Sequence, residues 1–218
     1  MASSLVFDMD GTLIDSSSGI LSALSLSLSE FGYHSIDVNS THVGPPIASV
    51  FRKLLPFVDD IRINQLCLSF QHHYDNSEYL HSRPYAGIVQ VLEELTLLGC
   101  RLFIATNKRA VPTQKIVDLL DWNHYFEFVY SLEMCDSPDA TKVDSLSSLL
   151  LRFNLDPLLT PYLGDRFDDY LAATSVSMPF FLAEWGYASR YEFYGLSDFT
   201  CLTSPSSLMS SSFLRHRS

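Results

Sequence analysis

The sequence predicts an α/β fold: a Rossmann-like parallel sheet core with an α-helical domain inserted after its first strand. Three observations predict it. Short apolar runs recur with helical patterns between them, the order expected of a parallel sheet. The runs are apolar throughout rather than alternating, as in strands covered on both faces. Residues 15–83 contain no convincing strand, which separates the first apolar run from the second.

The first run is SLVFD, 4–8, and the next is RLFIAT, 101–106. FEFVY, 126–130, and PYLGD, 161–165, follow, and MPFFLAE, 178–184, is a weaker fifth because it contains Pro179. Helical periodicity fills the gaps. In 87–99, Ile88, Val91, Leu92, Leu95 and Leu98 fall on one helical face, and Gly99 marks a stop. The segment 111–122 carries Pro112 near its start, where a missing N–H costs little, and 142–153 repeats the pattern. Within the insert, ILSALSLSLSEFGY reads two ways. Leu24, Leu26 and Leu28 alternate as in a strand, whereas Leu21, Leu24, Leu28 and Phe31 fit a helix, which is the favoured reading. IASVFRKLLPF and INQLCLSFQHHY are also helical in pattern, and HSRPYAG, 81–87, is the return hinge. The predicted domains are thus a core of 1–14 with 84–200, a helical cap of 15–83, and a Ser-rich tail of 201–218 without fixed structure.

The 218 residues are 47% hydrophobic and 18% charged, the composition of a globular chain long enough to bury a large core. A net charge of −11 argues against nucleic acid and anionic membranes as partners. No apolar run approaches the roughly 20 residues that span a bilayer, and no basic segment precedes the first apolar one. Cys67, Cys100, Cys135 and Cys201 form no CxxC pair and fit reduced thiols. A cytoplasmic location is the expectation.

In open parallel sheets, ligands bind beyond the carboxyl ends of the strands. Here the first strand ends at Asp8, with Asp10 and Gly11 just past it. The second ends in Thr106, followed by Asn107 and Lys108, and the fourth ends in Gly164 and Asp165, followed by Asp168 and Asp169. Lys142 opens the helix between the third and fourth strands. Taken singly, a DxD pair is most often a solvated turn, and Lys142 a surface residue at a helix start. Together they place several acids, a hydroxyl and an amine on one sheet edge. Packed carboxylates raise one another's pKa, and a hard cation such as Mg²⁺, which takes oxygen ligands, relieves that. A carboxylate beside it could attack a phosphoryl group. His72 and His73, and Arg52, Lys53 and Arg83, are read as solvated surface groups.

These motifs resemble the haloacid dehalogenase (HAD) superfamily of phosphohydrolases. FDMDGTLIDS is similar to its DxDGT motif, FIATN to the strand ending in Thr or Ser, TKVD to the lone lysine, and LGDRFDDYLAA to GDxxxD. VGPPIASVF, RPYAGIVQVLEEL, ATNK and EWGYASRYEF are similar to the phosphoglycolate phosphatase-like branch, which carries a helical cap after its first strand. The resemblance implies Asp8 as nucleophile and Asp10 as general acid/base. It implies Mg²⁺ held by the Asp8 side chain, the Asp10 carbonyl and Asp165, with Asp169 supporting the metal's water shell. It implies phosphate binding by Thr106, Asn107, Lys142 and the amides near Asp10 and Gly11. The GDxxxD spacing selects Asp169 over Asp168. Val143 after Lys142 and Arg166 after Asp165 depart from common family patterns, but neither removes a catalytic group. An aspartate at position 10 favours phosphate-ester chemistry over dehalogenation or carbon–phosphorus cleavage.

The expected function is a Mg²⁺-dependent phosphatase that hydrolyses a small phosphorylated metabolite, such as phosphoglycolate or a nucleoside monophosphate, through an aspartyl-phosphate. A sugar phosphomutase and a non-catalytic HAD-fold binding protein are the alternatives. The expected partner is that small metabolite, for a monomer or homodimer.

Overall fold

The computed structural model describes residues 3–137, 139–188 and 190–211. By its contacts the chain divides into two units, one running to Asp15 and resuming at Pro84, the other spanning Ser16–Arg83.

The first unit begins with β1, Ser4–Phe7, in which Leu5, Val6 and Phe7 are wholly buried. A tight turn follows, with the Leu13 and Ile14 N–H groups donating to the Met9 carbonyl at 2.9 and 3.1 Å. The short strands β2, Ile14–Asp15, and β3, Arg83–Pro84, form a two-stranded ribbon where the chain passes between units.

The second unit is helical: α1, Ser17–Glu30; α2, Ile47–Leu54; and α3, Asp60–Asn76. α1 resolves the ambiguous serine-leucine stretch. It buries Gly19, Ala23, Leu24, Ser27 and Leu28, a stripe of helical period, and leaves Leu26 exposed. α3 starts at an N-cap, Asp59, whose carboxylate accepts from the Arg62 N–H at 2.8 Å. Ile63, Leu66, Phe70 and Tyr74 of α3 pack with Leu24, Leu28 and Phe51 in this unit's own core.

From Pro84 to β7, α-helices and strands alternate: α4, Ile88–Leu97; β4, Arg101–Thr106; α5, Ala110–Leu119; β5, Phe128–Ser131; α6, Lys142–Arg152; β6, Tyr162–Gly164; α7, Phe167–Ser175; and β7, Phe180–Ala183; a short 3₁₀ segment, Arg190–Phe193, then leads to β8, Phe199–Leu202. Six strands form one parallel sheet in the order β5-β4-β1-β6-β7-β8. Phe103, Leu146, Leu149, Tyr162 and Phe180 are central to the core beneath it. The register places Phe7 opposite Ile104 on one side and Leu163 on the other. The carboxyl ends of β1, β4 and β6 therefore lie level at the middle of the sheet.

Several element ends differ from the sequence expectation by one to three residues, and two differences have clear physical reasons. β7 excludes Pro179, which has no N–H for the ladder but whose carbonyl accepts from Tyr162 at 2.8 Å. The expectation of an unstructured tail from 201 is corrected over its first part. β8 pairs in parallel with β7 and buries Leu202, and a 3₁₀ segment, Pro205–Ser210, buries Pro205 and Leu208. Isolated apolar residues anchor this segment despite its serines. Residues 212–218 of that expectation lie outside the described residues. Among the described residues no helix is long and apolar enough to cross a membrane, and the four cysteines are free thiols.

Candidate active site

Asp8 stands one residue beyond β1, with its N–H donating to the Leu163 carbonyl of β6 at 2.8 Å. The strand ladder thus extends to the backbone of Asp8 and fixes where its carboxylate begins. Asp165 follows β6 directly, Asp169 lies in the first turn of α7, and Lys142 is the first residue of α6. The structure brings these four together. One carboxylate oxygen from each of Asp8, Asp165 and Asp169 lies within 4.8 Å of the others. The Lys142 ammonium donates to Asp8 at 2.9 Å and also to Asp169. All four are nearly out of solvent: Asp165 is 0% exposed, Asp169 1%, Asp8 6% and Lys142 9%. Asp168, by contrast, is exposed.

Charge balance decides what such a set can hold. Burial pushes the Asp8 carboxyl up to about 7, the Lys142 attraction being too small to offset it. Burial, with Asp169 and Asp8 nearby, raises Asp165 well above the ordinary carboxylate range. For Lys142 the order reverses. Burial alone would lower its pKa, but the Asp169 and Asp8 carboxylates together outweigh it and hold the ammonium well above its usual value. When all three carboxyls are ionised they exceed the one ammonium by two negative charges, the charge that one divalent cation balances. The donors are all carboxylate oxygens, the ligand type that Mg²⁺ takes. The residues present fit such an ion.

Asp169 has a second task. Its other oxygen accepts from the Asp165 and Arg166 N–H groups at 3.2 and 3.0 Å, capping the start of α7. Asp165 is held from two sides: the Tyr187 N–H donates to one oxygen at 2.7 Å and the Thr12 hydroxyl to the other at 3.5 Å. The loop bearing Tyr187 is anchored by Trp185, whose indole N–H donates to the Thr12 carbonyl at 2.9 Å. Gly11 has φ +85°, and a Cβ there would lie 2.3 Å from an Asp165 oxygen. Gly186 is equally constrained, since a Cβ would lie 2.3 Å from that of Asp165 and 2.4 Å from the Gly11 carbonyl oxygen.

Thr106 closes β4 and is buried, while Asn107 next to it is exposed. The register with β1 sets Thr106 two residues past the partner of Phe7, beside the turn that follows Asp8. Asp10 is not in the acidic cluster; its carboxylate pairs with Lys108. Sequence reasoning names Lys108 at the strand end but gives it no role, and it misses Trp185 and Tyr187. The signals available are ATNK and EWGYASRYEF, which carry the branch resemblance without indicating what their side chains touch.

An open parallel sheet with three buried acids and a lysine beyond its central strands defines a class: an α/β enzyme with a cation-accepting centre. Comparison with known proteins makes the class specific. A family model described as haloacid dehalogenase-like hydrolase matches residues 5–183. A phosphoglycolate phosphatase of Thiobacillus denitrificans is 30% identical over 195 residues, covering 84% of this chain and 83% of that protein. A phosphoglycolate phosphatase of Aquifex aeolicus is 28% identical over 207 residues, covering 94% of each. The structure of a haloacid dehalogenase-like hydrolase family protein from Streptococcus pneumoniae superposes with a TM-score of 0.84 at 25% identity, covering 96% of this chain and 97% of that one. The chain belongs to the haloacid dehalogenase-like hydrolase family, and it is an enzyme of the phosphoric monoester hydrolase type.

Proposed function

We propose that this protein is a Mg²⁺-dependent phosphatase of a small phosphorylated metabolite, acting through an aspartyl-phosphate on Asp8. The observation that carries the reading is the Asp8 carboxylate at the end of the central strand, 2.9 Å from the buried Lys142 ammonium and grouped with Asp165 and Asp169. The similarity to two phosphoglycolate phosphatases makes phosphoglycolate the first substrate to try.

In this reading Asp8 attacks phosphorus and the bond to the leaving oxygen breaks, while Asp10 gives that oxygen a proton. Asp10 then takes a proton from water as the water attacks the aspartyl-phosphate, which frees inorganic phosphate and restores Asp8. Lys142, the Thr106 hydroxyl, Asn107 and the Gly11 amide bind the phosphoryl oxygens, where fixed donors are worth most as charge develops. Asp8, Asp165 and the Asp10 carbonyl would hold Mg²⁺, with Asp169 supporting its waters. When bound, the ion supplies Lewis-acid neutralisation of the phosphoryl charge. The helical unit, Ser16–Arg83, is the inserted cap domain in this reading.

The test is phosphate release from phosphoglycolate, nucleoside monophosphates and hexose phosphates, with Mg²⁺ and with chelator, for wild type and Asp8→Asn. Wild type should turn over at least one substrate only with Mg²⁺, and Asp8→Asn should lose about 10³-fold or more, as expected when a nucleophile is removed. Wild-type activity in Asp8→Asn sinks the nucleophile assignment. Hexose phosphate interconversion without net phosphate release would replace the phosphatase by a mutase.

A further inference from the structure

Lys108 makes a charge pair that the reaction above leaves unassigned. Its ammonium donates to both carboxylate oxygens of Asp10, at 2.9 and 3.2 Å. The Lys108 side chain is 8% exposed and that of Asp10 23%, so the pair is mostly shielded from the water that weakens surface ion pairs. The backbone carrying the lysine is pinned at both polar groups. Its N–H donates to the Thr106 hydroxyl at 3.2 Å, and its carbonyl accepts from the Ser131 hydroxyl at 2.5 Å. Thr106 and Ser131 are register partners at the ends of β4 and β5. Two adjacent strands thus determine where the ammonium stands.

The direction of the Asp10 carboxyl matters in a way that its mere presence does not. Asp10 lies in a turn beyond β1, where the strand ladder no longer dictates its side chain. A carboxyl group transfers a proton only to an atom within hydrogen-bond reach, and a small misplacement costs much of the rate. A contact to both oxygens selects one carboxyl orientation where a single contact would leave it free to rotate. We infer that Lys108 is a positioning residue that holds the Asp10 carboxyl in the orientation from which it protonates the leaving oxygen. The inference rests on the assignment of Asp8 and Asp10 above. It differs from a phosphate-binding role, which would place the ammonium on the substrate, and from a purely structural role, which would affect all substrates alike.

Leaving-group chemistry separates these roles. Nitrophenolate departs without a proton, whereas ethoxide needs one, and kcat/KM reports the step in which each departs. The experiment compares p-nitrophenyl phosphate with ethyl phosphate for wild type, Lys108→Met, Lys108→Gln, Asp10→Asn and the Lys108→Met/Asp10→Asn double variant, each checked for folding by circular dichroism. Lys108→Met should lower kcat/KM on ethyl phosphate by about 10- to 100-fold, part of the 10²–10⁴ that a general acid contributes, and by less than about threefold on the aryl ester. In the Asp10→Asn background it should cost less than about threefold on either, because the two residues act as one unit. Lys108→Gln carries the same comparison if the methionine variant does not fold. Equal losses on both esters, a loss confined to KM, or full additivity with Asp10→Asn would overturn the inference. Failure of the wild type to release phosphate from either ester would instead overturn the reading on which it rests.

Discussion

At the scale of single residues, the site is defined by close approach as much as by charge. Gly186 illustrates this, because a methyl group there would overlap both Asp165 and the Gly11 carbonyl. Neither neighbour can yield easily: Asp165 is fully buried and held by Tyr187 and Thr12, and Gly11 is backbone. Gly186→Ala should therefore destabilise the protein by about 1–3 kcal/mol, the usual cost of overpacking, and lower kcat on whichever phosphate ester the wild type hydrolyses. Thermal melting and steady-state kinetics on the same preparation check it, and a variant matching wild type in both would show that the loop lies elsewhere. The acids are legible in sequence because each follows an apolar run, so the strand end itself announces Asp8 and Asp165. The pairing of Asp10 with Lys108 is not legible. It depends on two side chains that meet across adjacent strand ends, and hydrophobic period carries no information about that.

At the scale of elements, β4 and β5 are joined at their beginnings by a charge pair outside the sheet core. The Arg101 guanidinium donates to both oxygens of Glu127, each at 2.7 Å, and holds that carboxyl below its usual pKa, chiefly through these hydrogen bonds. A carboxyl with a lowered folded-state pKa stabilises the fold above its unfolded pKa, about 4.3, and loses that contribution as pH falls through the folded value. Glu127 is 40% exposed, so the pair should be worth less than about 1 kcal/mol. Glu127→Gln should melt slightly below wild type at pH 7, and the gap should close as the pH is lowered below about 4. A gap that stays constant across this range would assign the difference to packing. The legibility of each element follows from its surroundings. β1, β4 and β6 lie inside the sheet and read as unbroken apolar runs. β8 lies at its edge with Thr200 exposed and serines on its C-terminal side, so its sequence reads as a tail. α1 interleaves serine with leucine, and only its buried stripe separates helix from strand.

At the scale of the whole molecule, the acidic cluster is a source of both instability and ligand-dependent stability. Buried acids that repel one another weaken the ligand-free fold, and a cation that binds only the folded state strengthens it by mass action. With Mg²⁺ at about a hundred times its Kd, the gain is about 2.7 kcal/mol, which for a chain of this size is a rise of about 5–10 °C in Tm. Asp165→Asn should melt higher than wild type in chelator, because it removes one of the repelling charges, and should show little of the Mg²⁺-induced rise. Differential scanning calorimetry on both proteins, with and without Mg²⁺, checks this, and an undiminished rise in the variant would place the ion elsewhere. The position of β1 has a further consequence, for how the chain comes together. β1, one of the two middle strands, with Asp8 at its tip, precedes both of its neighbours in sequence. Ser4 pairs with Arg101, and Val6 with Tyr162, so both neighbours emerge much later during synthesis. The helices of Ser16–Arg83, whose core is built from residues close in sequence, can close before β1 has any partner. β1 therefore stays unpaired while the insert folds, and β4 and β6, arriving later, complete the sheet on either side of Asp8.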